Sequence, residues 1–178
     1  GHGGMNVIRA ITVSCDTFFY NLGHKMGISA LSTMLSQFGY GKLTHVDLFE
    51  EAPGVVPNPL WKRANKGVSW YPGDTIISAI GQGFTLTSPL QIASATATLS
   101  AKGHRYRPHL LYKTVHDGGR EIPFKPIEEE PIILNNPANW DIVIEGMRSV
   151  IKSQEGTGGR FGRDAPYEVA GKTGTADQ

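Results

Sequence analysis

Ala170-Gly171-Lys172-Thr173-Gly174-Thr175-Ala176 admits two readings, and the choice between them decides the fold. Gly171-Lys172-Thr173 has the last three positions of a phosphate-cradling loop, G-x-x-x-x-G-K-[ST]. That loop needs its first glycine at residue 166, where this chain has Pro166. Proline removes the permissive backbone on which the cradle depends, so the phosphate reading fails. What stands is a lysine, two hydroxyls and a glycine running on from Tyr167 to Ala170, a stretch whose composition predicts a strand.

The remainder of the chain is helical in pattern. Asn6 to Val13 predicts a short helix or extended segment, and Thr17 to Met26 a helix stopped by Gly27. Ser29 is the expected cap of a further helix, with Leu31, Met34, Leu35 and Phe38 on one face and Gly39 as its end. Residues 41–73, punctuated by Pro53, Pro57, Pro59 and Pro72, are expected to be irregular. Gly73-Asp74-Thr75 opens a short helical stretch that Gly81-Gln82-Gly83 breaks. Ser88-Pro89-Leu90-Gln91 has the hydroxyl, proline and glutamine of a capped helix start. Asp117-Gly118-Gly119 between two extended runs predicts a hairpin. Asn136-Pro137 is the expected cap of another helix, with an apolar stripe of Trp140, Val143, Ile144, Met147 and Ile151. Gly156 to Gly162 reads as a mobile glycine-rich loop. Helices through most of the chain with strands late in it predict an α+β class.

Composition narrows the function. The chain has 178 residues, 17 Lys plus Arg against 16 Asp plus Glu, and a net charge of +1. Such a balance gives no electrostatic case for nucleic acid or anionic lipid as a main partner. A single cysteine, Cys15, excludes an intrachain disulfide. No apolar run approaches the ~18 residues of a membrane span, so the segment is expected to be soluble. The 22 glycines and 11 prolines are dispersed between periodic segments, as in a loop-rich globular fold.

Chemistry-bearing residues gather at two ends. Ser149-Val150-Ile151-Lys152 is the one S-x-x-K in the chain. A neutral lysine one turn from a serine can take its proton. Ile151 lies on the apolar stripe, however, which turns Ser149 and Lys152 toward solvent and keeps the lysine charged. Ser14-Cys15-Asp16 and Lys172-Thr173-Gly174 are the better pair. Taken alone, the first is an ordinary helix cap and the second an exposed strand edge.

In this order the two motifs resemble those of the penicillin-binding acyl-serine transferases, whose signature is S-x-x-K, then S-x-N or S-x-D, then K-[TS]-G. Gly1-His2-Gly3, Asn6-Val7, Ser14 to Tyr20, Phe38-Gly39-Tyr40-Gly41, Gly73-Asp74-Thr75, Ile80 to Gly83, Ser88 to Gln91 and Ala170 to Ala176 narrow the resemblance to the class B transpeptidases of cell elongation. It covers essentially the whole of residues 1–178, read as a partial transpeptidase domain that holds two motifs of three.

The resemblance implies a helical lobe against an antiparallel sheet with the active site between them. Ser14 would relay protons, Asp16 would bind the substrate's peptide amide, and Lys172 would attract its terminal carboxylate. Thr173 and Thr175 would bind that carboxylate, Gly174 would let substrate backbone approach, and the Thr175 N–H would form half of an oxyanion hole. It further implies a parent anchored at the periplasmic face of the bacterial inner membrane, acting on peptidoglycan stem peptides at D-Ala-D-Ala. β-Lactam antibiotics would acylate that parent, and its partner would be the shape-determining glycan polymerase. Catalysis would need no cofactor. Some members hold zinc through two aspartates, a histidine and a cysteine, which His2 and Cys15 would match in the parent only. Without the S-x-x-K segment and the last sheet strands, residues 1–178 alone are expected to be inactive and marginally stable. The alternatives on the same fold are a β-lactamase or D,D-carboxypeptidase, and a non-catalytic β-lactam sensor.

Overall fold

Asn6 begins the first helix by accepting the Arg9 N–H on its side chain at 2.9 Å, which satisfies one of the donors a helix start leaves orphaned. The structure is a computed structural model that describes residues 3–176. The chain forms two compact units, one from Gly1–Leu31, Pro57–Phe84 and Leu134–Gln178, the other from Ser32–Val56 and Thr85–Ile133.

In the first unit α1 (Val7–Thr12) packs on α6 (Ala138–Lys152). Ile11, Val150 and Ile151 form the buried core, with Val7, Phe19, Val143, Met147 and Val169 around them. Gly146 lets the two helices approach closely: a Cβ there would lie 2.9 Å from Ile11 Cδ1 and 3.0 Å from Ile11 Cβ. The predicted stripe of α6 supplies much of this face, while fully buried Val150 lies one position off it.

A single helix assignment, α2 (Asp16–Gln37), replaces the two expected helices, yet Gly27 (φ 76°, ψ 161°) interrupts it. Glycine takes that conformation without steric cost. Helical geometry resumes at Ile28, so Ser29 lies inside the helix rather than capping it.

The stretch 41–73, expected to be irregular, contains α3 (Pro59–Lys66). Asn58 accepts the Trp61 N–H at 2.9 Å, Pro59 sits at the first turn where its missing N–H costs nothing, and Gly67 closes the helix with φ 70°. Cap and proline here start a helix instead of breaking one. α4 (Pro72–Ser78) follows, its Asp74 reaching back to the Tyr71 N–H at 2.7 Å.

The second unit carries α5 (Pro89–Ser100) on the expected reciprocal cap, Gln91 N–H to Ser88 Oγ and Ser88 N–H to Gln91 Oε1. Buried Gln91 also donates to the Lys42 and Pro53 carbonyls at 2.7 and 2.8 Å. β1 (Arg105–Tyr106) pairs antiparallel with β4 (Glu128–Glu129), and β2 (Lys113–Val115) with β3 (Glu121–Pro123) across the predicted turn.

Two further expectations fail. Tyr167–Ala170 and the lysine motif after it form no strand, because no neighbouring strand among the described residues offers a ladder. Instead the Gly171 N–H donates to the Met147 carbonyl of α6. Gly156 to Gly162 is not a mobile loop either. It is bound down by Gly158 N–H to Val150 O at 2.9 Å and turns into a 3₁₀ helix at Gly159–Phe161. No helix among the described residues is long and apolar enough to cross a membrane.

Candidate active site

Ser14 occupies the turn between α1 and α2 with φ 51°, a left-handed conformation that costs a non-glycine residue on the order of 1 kcal/mol or more. The turn is fixed by Cys15 N–H to Ala10 O and Ser14 N–H to Ile11 O, at 2.9 and 3.2 Å. Asp16 opens α2, where a carboxylate complements the helix dipole. The Ser14 hydroxyl does not serve as the helix cap. It accepts from Lys172 Nζ at 2.6 Å, across 158 residues of sequence.

Around this contact lies a cavity of about 650 Å³ lined by Ser14, Asp16, Phe19, Ala79, Ile80, Gln82, Lys172, Thr173, Gly174 and Thr175. All six residues singled out as catalytic or substrate-binding from the sequence therefore share one cavity wall. Lys172 Nζ also donates to the Thr173 carbonyl at 2.9 Å and to Thr173 Oγ1 at 3.3 Å. Partial burial pushes the Lys172 ammonium below the ordinary lysine range, and the Asp16 carboxylate pulls it back up. A cation that is partly desolvated and only partly compensated is suited to receive a second anion.

Sequence reasoning missed two members of the site. Thr157 Oγ1 lies 2.9 Å from Thr173 Oγ1 and 3.3 Å from Ser14 Oγ. Its signal was hidden in a glycine-rich run that reads as loop. Gln82, taken as part of a helix breaker, donates from Nε2 to the Thr175 carbonyl at 3.1 Å. The left-handed glycines on either side of it (φ 77° and 79°) place it there.

Other candidates fall outside. Lys152 turns its ammonium to the Arg163 carbonyl at 3.2 Å, so it is not paired with Ser149. The aromatic residues of the 41–73 stretch, Trp61, Trp70 and Tyr71, pack around α3 and α4 and are not part of the cavity wall. Trp70 donates to Thr75 Oγ1, Trp61 packs on Phe84, and Tyr71 stands beside buried Lys62. Cys15 is buried, and His2 lies outside the described residues. Among the described residues no three His, Cys, Asp or Glu side chains gather to hold a metal. The described residues thus do not by themselves make a zinc donor set.

The transpeptidase domain of penicillin-binding proteins matches residues 1–178. The chain belongs to this family. Transpeptidase relatives include the peptidoglycan D,D-transpeptidase MrdA of Salmonella typhimurium, 41% identical over 178 residues, covering 99% of this chain and 28% of that protein. Among transpeptidase structures, Pseudomonas aeruginosa PBP2, solved in complex with WCK 5153, superposes with a TM-score of 0.85. It is 43% identical, over 97% of this chain and 38% of that one. Helicobacter pylori PBP2, solved in complex with MreC, gives 0.85 at 32% identity, over 100% of this chain and 32% of that one. The α+β penicillin-binding fold expected from the motifs is therefore the fold of this chain, which spans just over a quarter of the length of the curated relative.

Proposed function

We propose that the protein carrying this chain is a peptidoglycan D,D-transpeptidase that cross-links stem peptides through a serine acyl-enzyme at D-Ala-D-Ala and is acylated by β-lactams. The observation that carries the reading is the 2.6 Å bond from Lys172 Nζ to Ser14 Oγ inside a cavity shared with Asp16 and Thr173–Thr175. The nucleophilic serine and its lysine come from the part of the protein outside this chain, because Ser149 and Lys152 are not paired with one another.

In this mechanism the nucleophile's hydroxyl attacks the D-Ala carbonyl, and its proton reaches the departing D-Ala amine by way of the Ser14 hydroxyl. Lys172 binds the terminal carboxylate of the donor peptide and stabilises the Ser14 oxygen while the proton is in transit. Thr173 and Thr175 add hydrogen bonds to that carboxylate, and Asp16 accepts the substrate's amide N–H. The Thr175 N–H contributes to the oxyanion hole, a donor whose loss typically costs ~10²-fold or more in rate. Gly174 has nothing within 4 Å of where its Cβ would stand, leaving room for substrate backbone. The acceptor amine then attacks the acyl-enzyme, with Ser14 returning the proton. The protein would sit at the periplasmic face of the inner membrane with a glycan polymerase as partner, and any zinc would be structural and completed by residues beyond those described.

Intact-mass analysis of the full-length protein incubated with a penicillin tests this reading. One penicilloyl adduct, mapping outside residues 1–178, is expected, with Ser14→Ala and Lys172→Ala slowing its formation by ~10²-fold or more. An unmodified protein, or an adduct at Ser149, overturns it.

A further inference from the structure

Two hydroxyls accept from the Lys172 ammonium and a third, Thr157, lies between them; counting the hydrogens gives that third one a role. An ammonium only donates. Lys172 Nζ donates to Ser14 Oγ at 2.6 Å and to Thr173 Oγ1 at 3.3 Å, so both oxygens accept from it. Each hydroxyl hydrogen must therefore find another acceptor. Ser14 Oγ and Thr173 Oγ1 are 3.5 Å apart, at the limit for a bond between them. Thr157 Oγ1 lies nearer to each than they lie to one another, 2.9 Å from Thr173 Oγ1 and 3.3 Å from Ser14 Oγ. With two lone pairs it can accept from both.

Thr157 is held in place by backbone. Its N–H donates to the Thr12 carbonyl of α1 at 3.3 Å, and the next N–H, from Gly158, donates to Val150 O. Gly156 and Gly158 lie so close to α6 that a Cβ on either would collide: at Gly156 with the Val150 and Ser149 carbonyl oxygens, at Gly158 with Val150 Cγ1 and Ile151 Cδ1 at 2.9 and 2.8 Å. Arg9 of α1 pairs with Glu155 at 3.2 Å. The same α1 and α6 that carry the core thus set the hydroxyl.

We infer that Thr157 is a positioning residue, whose Oγ1 accepts the hydroxyl hydrogens of Ser14 and Thr173 and so keeps a lone pair of each oxygen turned to Lys172. It touches no substrate atom; it fixes the direction in which Ser14 can pass a proton and Thr173 can meet a carboxylate. The inference rests on the acyl-transfer reading above.

Rapid kinetics of acylation by a fluorescent penicillin, on the full-length protein, separates the rate of the covalent step from the affinity of the complex before it. Thr157→Val is expected to slow the covalent step about tenfold, the scale of one hydrogen bond. Thr157→Ser, which keeps the hydroxyl, is expected to stay within about twofold. The thermal midpoints of both should match the parent, because Thr157 is exposed. Wild-type protein that is acylated while Thr157→Val acylates equally well overturns this inference and leaves the transpeptidase reading standing. Equal loss in both variants also overturns it, since the hydroxyl is then irrelevant. Wild-type protein that is never acylated overturns the transpeptidase reading and this inference with it.

Discussion

Asp16 acts on Lys172 through its field, and the sign of that action can be measured. Partial burial lowers the lysine's proton affinity and the Asp16 carboxylate partly restores it. In the proposed mechanism Lys172 acts in its charged form, so the alkaline limb of acylation is expected to fall where Lys172 loses its proton. Replacing Asp16 by Asn removes the restoring charge, lowers the lysine further, and is expected to move that limb to lower pH. Lys172→Arg, which stays protonated throughout, is expected to remove the limb. The check is the pH profile of penicillin acylation for the three proteins, and a limb that stays in place in Asp16→Asn would show that another group sets it. At this scale the sequence was informative for side chains whose chemistry and order are distinctive. Ser14, Asp16 and Lys172 could be singled out because S-x-D followed by K-T-G resembles the motif order of the penicillin-binding transferases, not because either motif is distinctive alone. Thr157 and Gln82 could not, since a hydroxyl between glycines and an amide between glycines look like any turn.

Elements were legible where either a cap or a periodic apolar stripe marks them. Ser88 with Gln91 announced α5, and the stripe from Trp140 to Ile151 announced α6. α3 is not legible in residues 41–73 because prolines there read as breakers, when Asn58-Pro59 is itself a helix start. The strand expected at Tyr167–Ala170 depended on a ladder partner, which local composition cannot report. The crossing of α1 and α6 also escaped the sequence, since it turns on a glycine inside a helix. A methyl group at Gly146 would stand 2.9 to 3.2 Å from three atoms of Ile11. Helix propensity alone favours Gly146→Ala by up to ~1 kcal/mol, but overpacking costs about 1–3 kcal/mol, so a net loss of stability is expected. Urea unfolding of the full-length protein measures it. Ile11→Ala should cost less in the Gly146→Ala background than in the wild type, because the two changes share one contact. Strict additivity would mean the helices simply shift apart.

At the scale of the molecule, a net charge of +1 leaves no strong overall field, so the response of stability to pH comes from particular pairs. Within the first unit the most enclosed of them joins α3 to α4. Lys62 Nζ meets Asp74 Oδ2 at 2.6 Å, with side chains 6% and 17% exposed, and the ammonium lies 5.9, 4.8 and 5.5 Å from the ring centroids of Trp70, Tyr71 and Phe84. Burial pushes the Asp74 carboxyl up, but hydrogen bonds from Lys62 and the Tyr71 N–H together with the lysine's charge outweigh it and hold the carboxyl below its usual range. A carboxylate lowered on folding binds fewer protons folded than unfolded as the solution turns acid. Its stabilisation is therefore complete above the ordinary carboxylate pKa of ~3.9 and drains away as pH falls through the lower folded value. Asp74→Asn at neutral pH leaves an ammonium buried among aromatic rings without its counter-charge, which is expected to cost about 3 kcal/mol. The same variant should show a flatter loss of stability below pH ~4, because one of the groups responsible has gone. Replacing both partners, as Lys62→Met with Asp74→Leu, should recover most of the loss, since a buried pair is often matched by apolar groups of similar size. Thermal midpoints of the full-length variants between acid and neutral pH test all three expectations. A single variant as stable as the double one would show that solvent reaches the ammonium and that aromatic packing, not the ion pair, holds α3 to α4.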